Sequence, residues 1–185
     1  MKLDLELAAF LASPVMIIIG TCDAGKRPAI GRAVGAMVDA EAGIVELVVS
    51  AWQWPATVAN LRNGSRIAVT FARPSDYVSY QAKGVASVRA AQAADLDRAR
   101  RYMAAIIDVL AGLGLDRSLA APWITEREAV VARLEVEAIF VQTPGARAGQ
   151  PPRRGSAPGH EPAANARRRG RRGRRPAPPR QSRDG

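Results

Sequence analysis

Apolar side chains at positions 3, 7, 10 and 11 return at the spacing of one helical face, and Pro14 follows. This predicts a short amphipathic helix ending near Ala12. Residues 14–22 are apolar and β-branched, as a buried strand requires. A turn cluster at 23–28, with Gly25 available for positive φ, leads into a second strand over 29–38 that carries Arg32 in its middle. A second turn at 39–43 precedes a third strand over 44–49. Residues 55–63 read as one short helix, with Pro55 in its first turn and Gly64 as its stop.

Strands are predicted over 66–71 and 77–89, separated by a turn at 73–76. In the longer one, alternation sets Gln81 and Lys83 on the face opposite Tyr80 and Ala82. Leu96, Ala99, Met103, Ile106, Ile107 and Leu110 form the stripe of a long helix over 95–113, and Asp95 and Asp97 near its start favour the helix dipole. Residues 122–128 form a short helix or turn. In the last strand, 129–141, Val130, Ala132, Leu134, Val136, Ala138 and Phe140 share one face, with Arg133, Glu135 and Glu137 on the other. The order is helix, three strands, helix, two strands, long helix, strand. Short turns make the first three strands an antiparallel meander. Six strands with outlying helices point to a mainly β fold, a small six-stranded barrel rather than a doubly wound sheet.

The charge of the chain changes meaning when it is divided. The formal net charge is +10. Residues 1–143 hold 15 Lys+Arg against 15 Asp+Glu and are neutral. Residues 144–185 hold 12 Arg against Glu161 and Asp184, so the whole excess lies there, with 8 of the 13 prolines. This tail has no Val, Ile, Leu, Met or aromatic residue and cannot bury enough surface to offset the entropy of ordering. The expectation is one folded domain over 1–145 and a disordered Arg/Pro/Gly-rich tail over 146–185.

The division also excludes chemistry. The only histidine, His160, lies in the tail, so a Ser-His-Asp triad, a Cys-His pair and a His-ligated zinc are not expected in the domain, and no metal site is assigned. Cys22 alone forms no intrachain disulfide, has no evident activating partner and reads as structural. The apolar run 15–19 is too short to span a bilayer, and the first 12 residues carry Asp4 and Glu6 against the single Lys2, unlike a signal peptide, so a soluble cytoplasmic protein is expected.

Several stretches together carry a resemblance: the run Ile19-Gly-Thr-Cys-Asp-Ala-Gly-Lys-Arg-Pro-Ala-Ile-Gly-Arg32, the strand ending at Ser50, Val58-Ala-Asn-Leu-Arg-Asn-Gly-Ser-Arg-Ile-Ala-Val69, Tyr80-Gln-Ala-Lys-Gly-Val-Ala86, and Phe140-Val-Gln-Thr-Pro-Gly145. Over roughly residues 12–145 the chain resembles the pyridoxamine 5′-phosphate oxidase-like, FMN-binding split-barrel superfamily. The resemblance implies a homodimer with two FMN sites at the subunit interface. Other flavin-like cofactors, including deazaflavin F420, and haem occur among such proteins; haem has no histidine ligand in this domain.

FMN brings a phosphate dianion and a broad apolar ring. The first needs cations, hydroxyls and N–H groups; the second needs a flat apolar wall with a few polar groups at its edge. By the resemblance, Arg32 on the second strand contacts the phosphate; the alternatives are a solvated arginine or one in a salt bridge at the dimer interface. Val49 and Ser50 end the third strand, where relatives place a cofactor-facing hydroxyl. Thr57 stands where many relatives have Lys preceded by Ser-Arg, so Pro55-Ala56-Thr57 lacks two cationic contacts. Trp52, with Trp54 in the same loop, offers a stacking surface, or packs under the loop or across a dimer seam. Gln81 stands near the polar residue that reaches the ring edge.

The Arg-x-His that grips substrate in pyridoxamine phosphate oxidases proper is replaced by Gln142-Thr-Pro-Gly145. The implied function is an FMN-binding split barrel, a flavin-dependent oxidoreductase of unknown substrate and not a true pyridoxamine phosphate oxidase. Flavin hydride chemistry needs little from side chains, so the lack of acid–base residues does not oppose this. The alternatives are a cofactor-poor dimeric split-barrel binding or sensor module, and nucleic-acid binding through the arginine runs of the tail at 167–175.

Overall fold

The computed structural model describes residues 1–64 and 66–152. The elements run α1 (Leu5–Ala12), β1 (Met16–Cys22), β2 (Pro28–Asp39), β3 (Ile44–Ser50), α2 (Pro55–Arg62), β4 (Arg66–Ala72), β5 (Ser79–Ala90), α3 (Ala93–Gly112), α4 (Arg117–Ala120), a 3₁₀ turn (Ala121–Trp123) and β6 (Ala129–Val141). All neighbouring strands are antiparallel and close in the order β1-β2-β3-β6-β5-β4. Closure pairs every strand on both sides and leaves no free edge. The expected six-stranded barrel with peripheral helices is therefore the observed architecture.

The barrel interior is filled by the branched residues that strand alternation points inward. Ile17, Ile19, Val45, Leu47, Val69, Phe71, Ala82 and Leu134 are at most 2% exposed. Helix α2 touches β1, β2 and β3 and also β5 across the ring, so it closes one end of the barrel and buries Val58 and Leu61. Helix α1 packs on β2, and α3 packs on β2 and β3. The Tyr102 hydroxyl donates to the Val15 carbonyl at 2.6 Å, which ties α3 to the start of β1, and burial raises its pKa.

One expectation is corrected. Ala138 and Phe140 do not share the inward face of Val130, Ala132, Leu134 and Val136. Lys83 pairs with Ala138 but Gly84 pairs with Val136, so Glu137 is an extra residue in β6. From there Ile139 and Val141 point inward and Ala138 and Phe140 outward. Asp95 stands in the first turn of α3, as its expected role toward the helix dipole requires, and is 3% exposed.

The chain also continues in order past Gly145. The amide of Gly149 donates to the Val141 carbonyl and the amide of Val141 to the Gln150 carbonyl, each at 2.8 Å, so residues 146–150 turn back onto β6. The remainder of the expected disordered tail, 153–185, lies outside the described residues. Among those described, no helix is long and apolar enough to cross a membrane.

Asp95 is the hub of an ion network that joins three elements. It accepts from Arg89 of β5 at 2.6 Å and Arg98 of α3 at 3.0 Å, while Arg89 also reaches Glu46 of β3 at 2.8 Å. It further accepts from the Gln92 amide at 2.9 Å, which caps α3. The hydrogen bonds from Arg89 lead the causes that lower its pKa from 3.8 to about 2. A carboxyl depressed by folding contributes stability that is present above its unfolded pKa and is lost as pH falls through the folded value. We therefore expect Asp95→Asn to cost about 2 kcal/mol near neutrality. Urea unfolding of the two proteins should converge as pH drops from about 4 to about 2.

Candidate functional site

The barrel's outward side presents a continuous row across five strands. Arg32 on β2 pairs with Ile18 on β1, Ile18 with Thr70 on β4, Thr70 with Gln81 on β5, and Gln81 with Phe140 on β6. Directly paired residues share a face, and all five are half-buried. Three strand spacings, about 14 Å, separate Arg32 from Gln81. The Gln81 amide donates to the Thr70 hydroxyl at 3.1 Å, which orients it within the row. The row thus runs from a cation, over a small and mainly apolar surface, to an amide and an aromatic ring.

Phe140 was not among the sequence candidates, and the reason is the extra residue Glu137. An ideal Cβ at Gly84 would lie 1.9 Å from the Glu135 carbonyl oxygen, so only glycine permits the close approach that accommodates the bulge. That approach turns the end of β6 over and brings Phe140 beside Gln81. Lys83 lies in the next position on the same face, with its Nζ 5.0 Å from the centroid of the Phe140 ring.

At the other end of the row, Arg32 rests on the Trp123 indole, 5.2 Å from its centroid. Among the described residues it makes no ion pair, which removes an intrachain salt bridge as its role. Val49 is wholly buried and pairs with Ala33 and Val130, so its side chain belongs to the core. Ser50 is 1% exposed; its hydroxyl donates to the Arg127 carbonyl at 2.7 Å and accepts the Gln53 amide at 3.1 Å. It pins the loop after β3 against the segment before β6. Trp52 is 52% exposed and carries the Arg127 guanidinium on its ring at 4.5 Å.

Thr57 faces the other way. It is 1% exposed, and its side chain lies against Gly31, where an added Cβ would meet Oγ1 at 2.9 Å. Gly31 pairs with Ile19 and shares the interior face, opposite to Arg32. The Thr57 hydroxyl is closed off from solvent without a hydrogen-bond partner. Beside it, the Asn60 amide donates to the Thr21 hydroxyl at 3.0 Å, fixing α2 to β1. The structure therefore brings Arg32, Gln81 and the surroundings of Trp52 to the outside and sets Thr57 and Val49 within. Cys22 is exposed.

This closed barrel with a helix across one end defines the split-barrel class. Residues 3–140 match the model of the pyridoxamine 5′-phosphate oxidase family, and the chain belongs to that family. Among solved structures, it is similar to HupZ from Group A Streptococcus, with 19% identity, 80% of this chain and 100% of that one covered, and a TM-score of 0.49. A putative pyridoxamine 5′-phosphate oxidase from Lactobacillus delbrueckii shares 16% identity over 75% of this chain and 93% of its own, with a TM-score of 0.47. The conserved hypothetical protein Rv2991 from Mycobacterium tuberculosis shares 16% over 76% and 84%, with a TM-score of 0.45. No curated protein matches the chain.

Gly84→Ala should cost about 3 kcal/mol, because the obstacle is a backbone carbonyl that cannot rotate away. Gly112→Ala, where nothing lies within 4 Å of the added methyl, should stay within about 0.5 kcal/mol of the parent. Urea midpoints of the two variants check this difference.

Proposed function

We propose that the chain binds FMN along the outward row and acts as a flavin-dependent oxidoreductase. The observation that carries this reading is the row itself, from an arginine free of carboxylates to a glutamine amide about 14 Å away across half-buried Ile18 and Thr70. Arg32 would hold the phosphate by charge-assisted hydrogen bonds. Ile18 and Thr70 offer the ring a flat wall, and Gln81 and Phe140 meet its edge. The group, once bound, supplies the hydride chemistry; the chain's own residues bind it, orient it and exclude water.

Gln142-Thr-Pro-Gly145 supports a substrate other than pyridoxamine phosphate. The Thr143 hydroxyl accepts the Ser79 amide at 2.9 Å and so serves to anchor the end of β6 to β5. Helices α1 and α3 lie against β2 and β3, and the row's side chains on β1, β4, β5 and β6 are only half-buried. This favours a second copy of the chain as the cover, with the cofactor between two barrels. One observation favours the alternative of a cofactor-poor dimeric module: the first turn of α2 supplies no cation, and Thr57 turns its hydroxyl inward.

Purified protein should show flavin absorbance, mass spectrometry should find FMN in the released cofactor, and sedimentation should give a dimer. Arg32→Ala should weaken FMN binding at least tenfold by fluorescence quenching, with unfolding unchanged. A colourless protein that fails to quench added FMN would leave the cofactor-poor module as the reading. A deazaflavin spectrum in place of FMN would keep the site and change the cofactor.

A further inference from the structure

Arg32 is not the only cation at its end of the row. The charges of the domain are largely consumed in pairs: Arg66 with Glu137, Arg73 with Asp76, Arg89 with Glu46 and Asp95, Arg117 with Asp108, and Arg133 with Glu135. Arg32 and Arg127 make no ion pair among the described residues, and both lie against a tryptophan. The neighbouring acid Glu126 is engaged by Arg100 at 3.3 Å rather than by Arg127.

These two arginines are 95 residues apart in sequence, and the backbone of Arg127 is held by Ser50, a neighbour of Arg32. Ser50 follows Val49, the partner of Ala33, so it stands beside Arg32 where β2 and β3 adjoin. The Ser50 hydroxyl donates to the carbonyl of Arg127, and the Ala51 amide donates to that of Glu128 at 3.1 Å. One step further, the Gln53 side-chain Nε2 donates to the Pro122 carbonyl at 3.0 Å, linking the neighbours of the two indoles. The loop after β3 and the segment 121–128 are thus laced together, and each contributes one of the tryptophans.

Stacking on an indole uses the face of a guanidinium and leaves its in-plane N–H groups available. A guanidinium so buttressed has lost side-chain freedom without spending a donor, which lowers the cost of forming a new bidentate bond. We propose that Arg127 is a second anion-binding residue. With Arg32 it grips the phosphate dianion of the planar ligand, and it takes the place of the cations that the start of α2 lacks. This rests on the flavin reading for the identity of the ring but not for the anion. Trp52 and Trp123 act as positioning residues, holding the two arginines without contacting the phosphate.

The test uses the full chain and the natural fluorescence of its tryptophans. FMN, riboflavin and inorganic pyrophosphate are titrated into the parent, Arg127→Gln, Arg32→Gln, Trp52→Ala and a control, Arg117→Gln. Equal urea midpoints establish that each variant is folded. Arg127→Gln should weaken FMN and pyrophosphate about tenfold and leave riboflavin unchanged, because riboflavin has no phosphate. Trp52→Ala should act in the same direction by a smaller factor, and Arg117→Gln should have no effect. If Arg127→Gln leaves FMN and pyrophosphate affinity at the parent value while Arg32→Gln reduces both, the second cation is overturned and the flavin reading stands. If pyrophosphate binds with Arg127 dependence but neither flavin binds, the anion site holds and the flavin reading falls. Equal loss of FMN and riboflavin in Arg127→Gln would overturn a phosphate role for Arg127.

Discussion

The Glu135 carbonyl lies so close to Gly84 that no side chain fits between them, and the outward surface of the barrel depends on that contact. It lets β6 carry one residue more than β5 opposite it. Before the extra residue, even-numbered side chains of β6 face the core; after it, odd-numbered ones do. A regular β6 would bury Phe140 and expose Ile139 and Val141. The bulge keeps the core apolar along the whole strand and at the same time sets an aromatic ring next to Gln81. A packing accommodation and a candidate ligand surface thus have one cause.

Electrostatics completes the picture. The domain is neutral, and most of its arginines are held by carboxylates on neighbouring strands and helices. The most enclosed network, around Asp95, ties β3, β5 and α3 into one body. The guanidiniums of Arg32 and Arg127 are held by indoles instead, which preserves their capacity to bind an anion. The +10 of the whole chain therefore says little about this surface.

Much of the fold was legible along the chain. Alternation put Gln81 and Lys83 on the face opposite Tyr80 and Ala82, and the structure agrees, because a regular strand has a period of two. The apolar stripe at 3, 7, 10 and 11 is buried as its spacing implied. The misses share a cause. Phe140 was assigned inward because alternation cannot register an inserted residue. The two arginine partners of Asp95 are defined only by packing and leave no local mark in the sequence. Thr57, expected from the resemblance to lie near the phosphate, faces Gly31, a residue whose missing side chain is what admits it. Trp123 and Arg127 lie in a segment without periodicity, where nothing in the local pattern marks them.

What the sequence determined by itself was the six strands and three main helices, their order, the neutral histidine-free domain and the family it resembles, because periodicity, turn chemistry and composition are local properties. What only the tertiary structure decided was which side chains meet. Closure of the barrel aligned Arg32, Ile18, Thr70 and Gln81 across four strands, and the hydrogen bonds of Ser50 and Ala51 drew Arg127 to the end of that row. Those are contacts between residues far apart in the chain, set by register and bulge, and no local pattern encodes them.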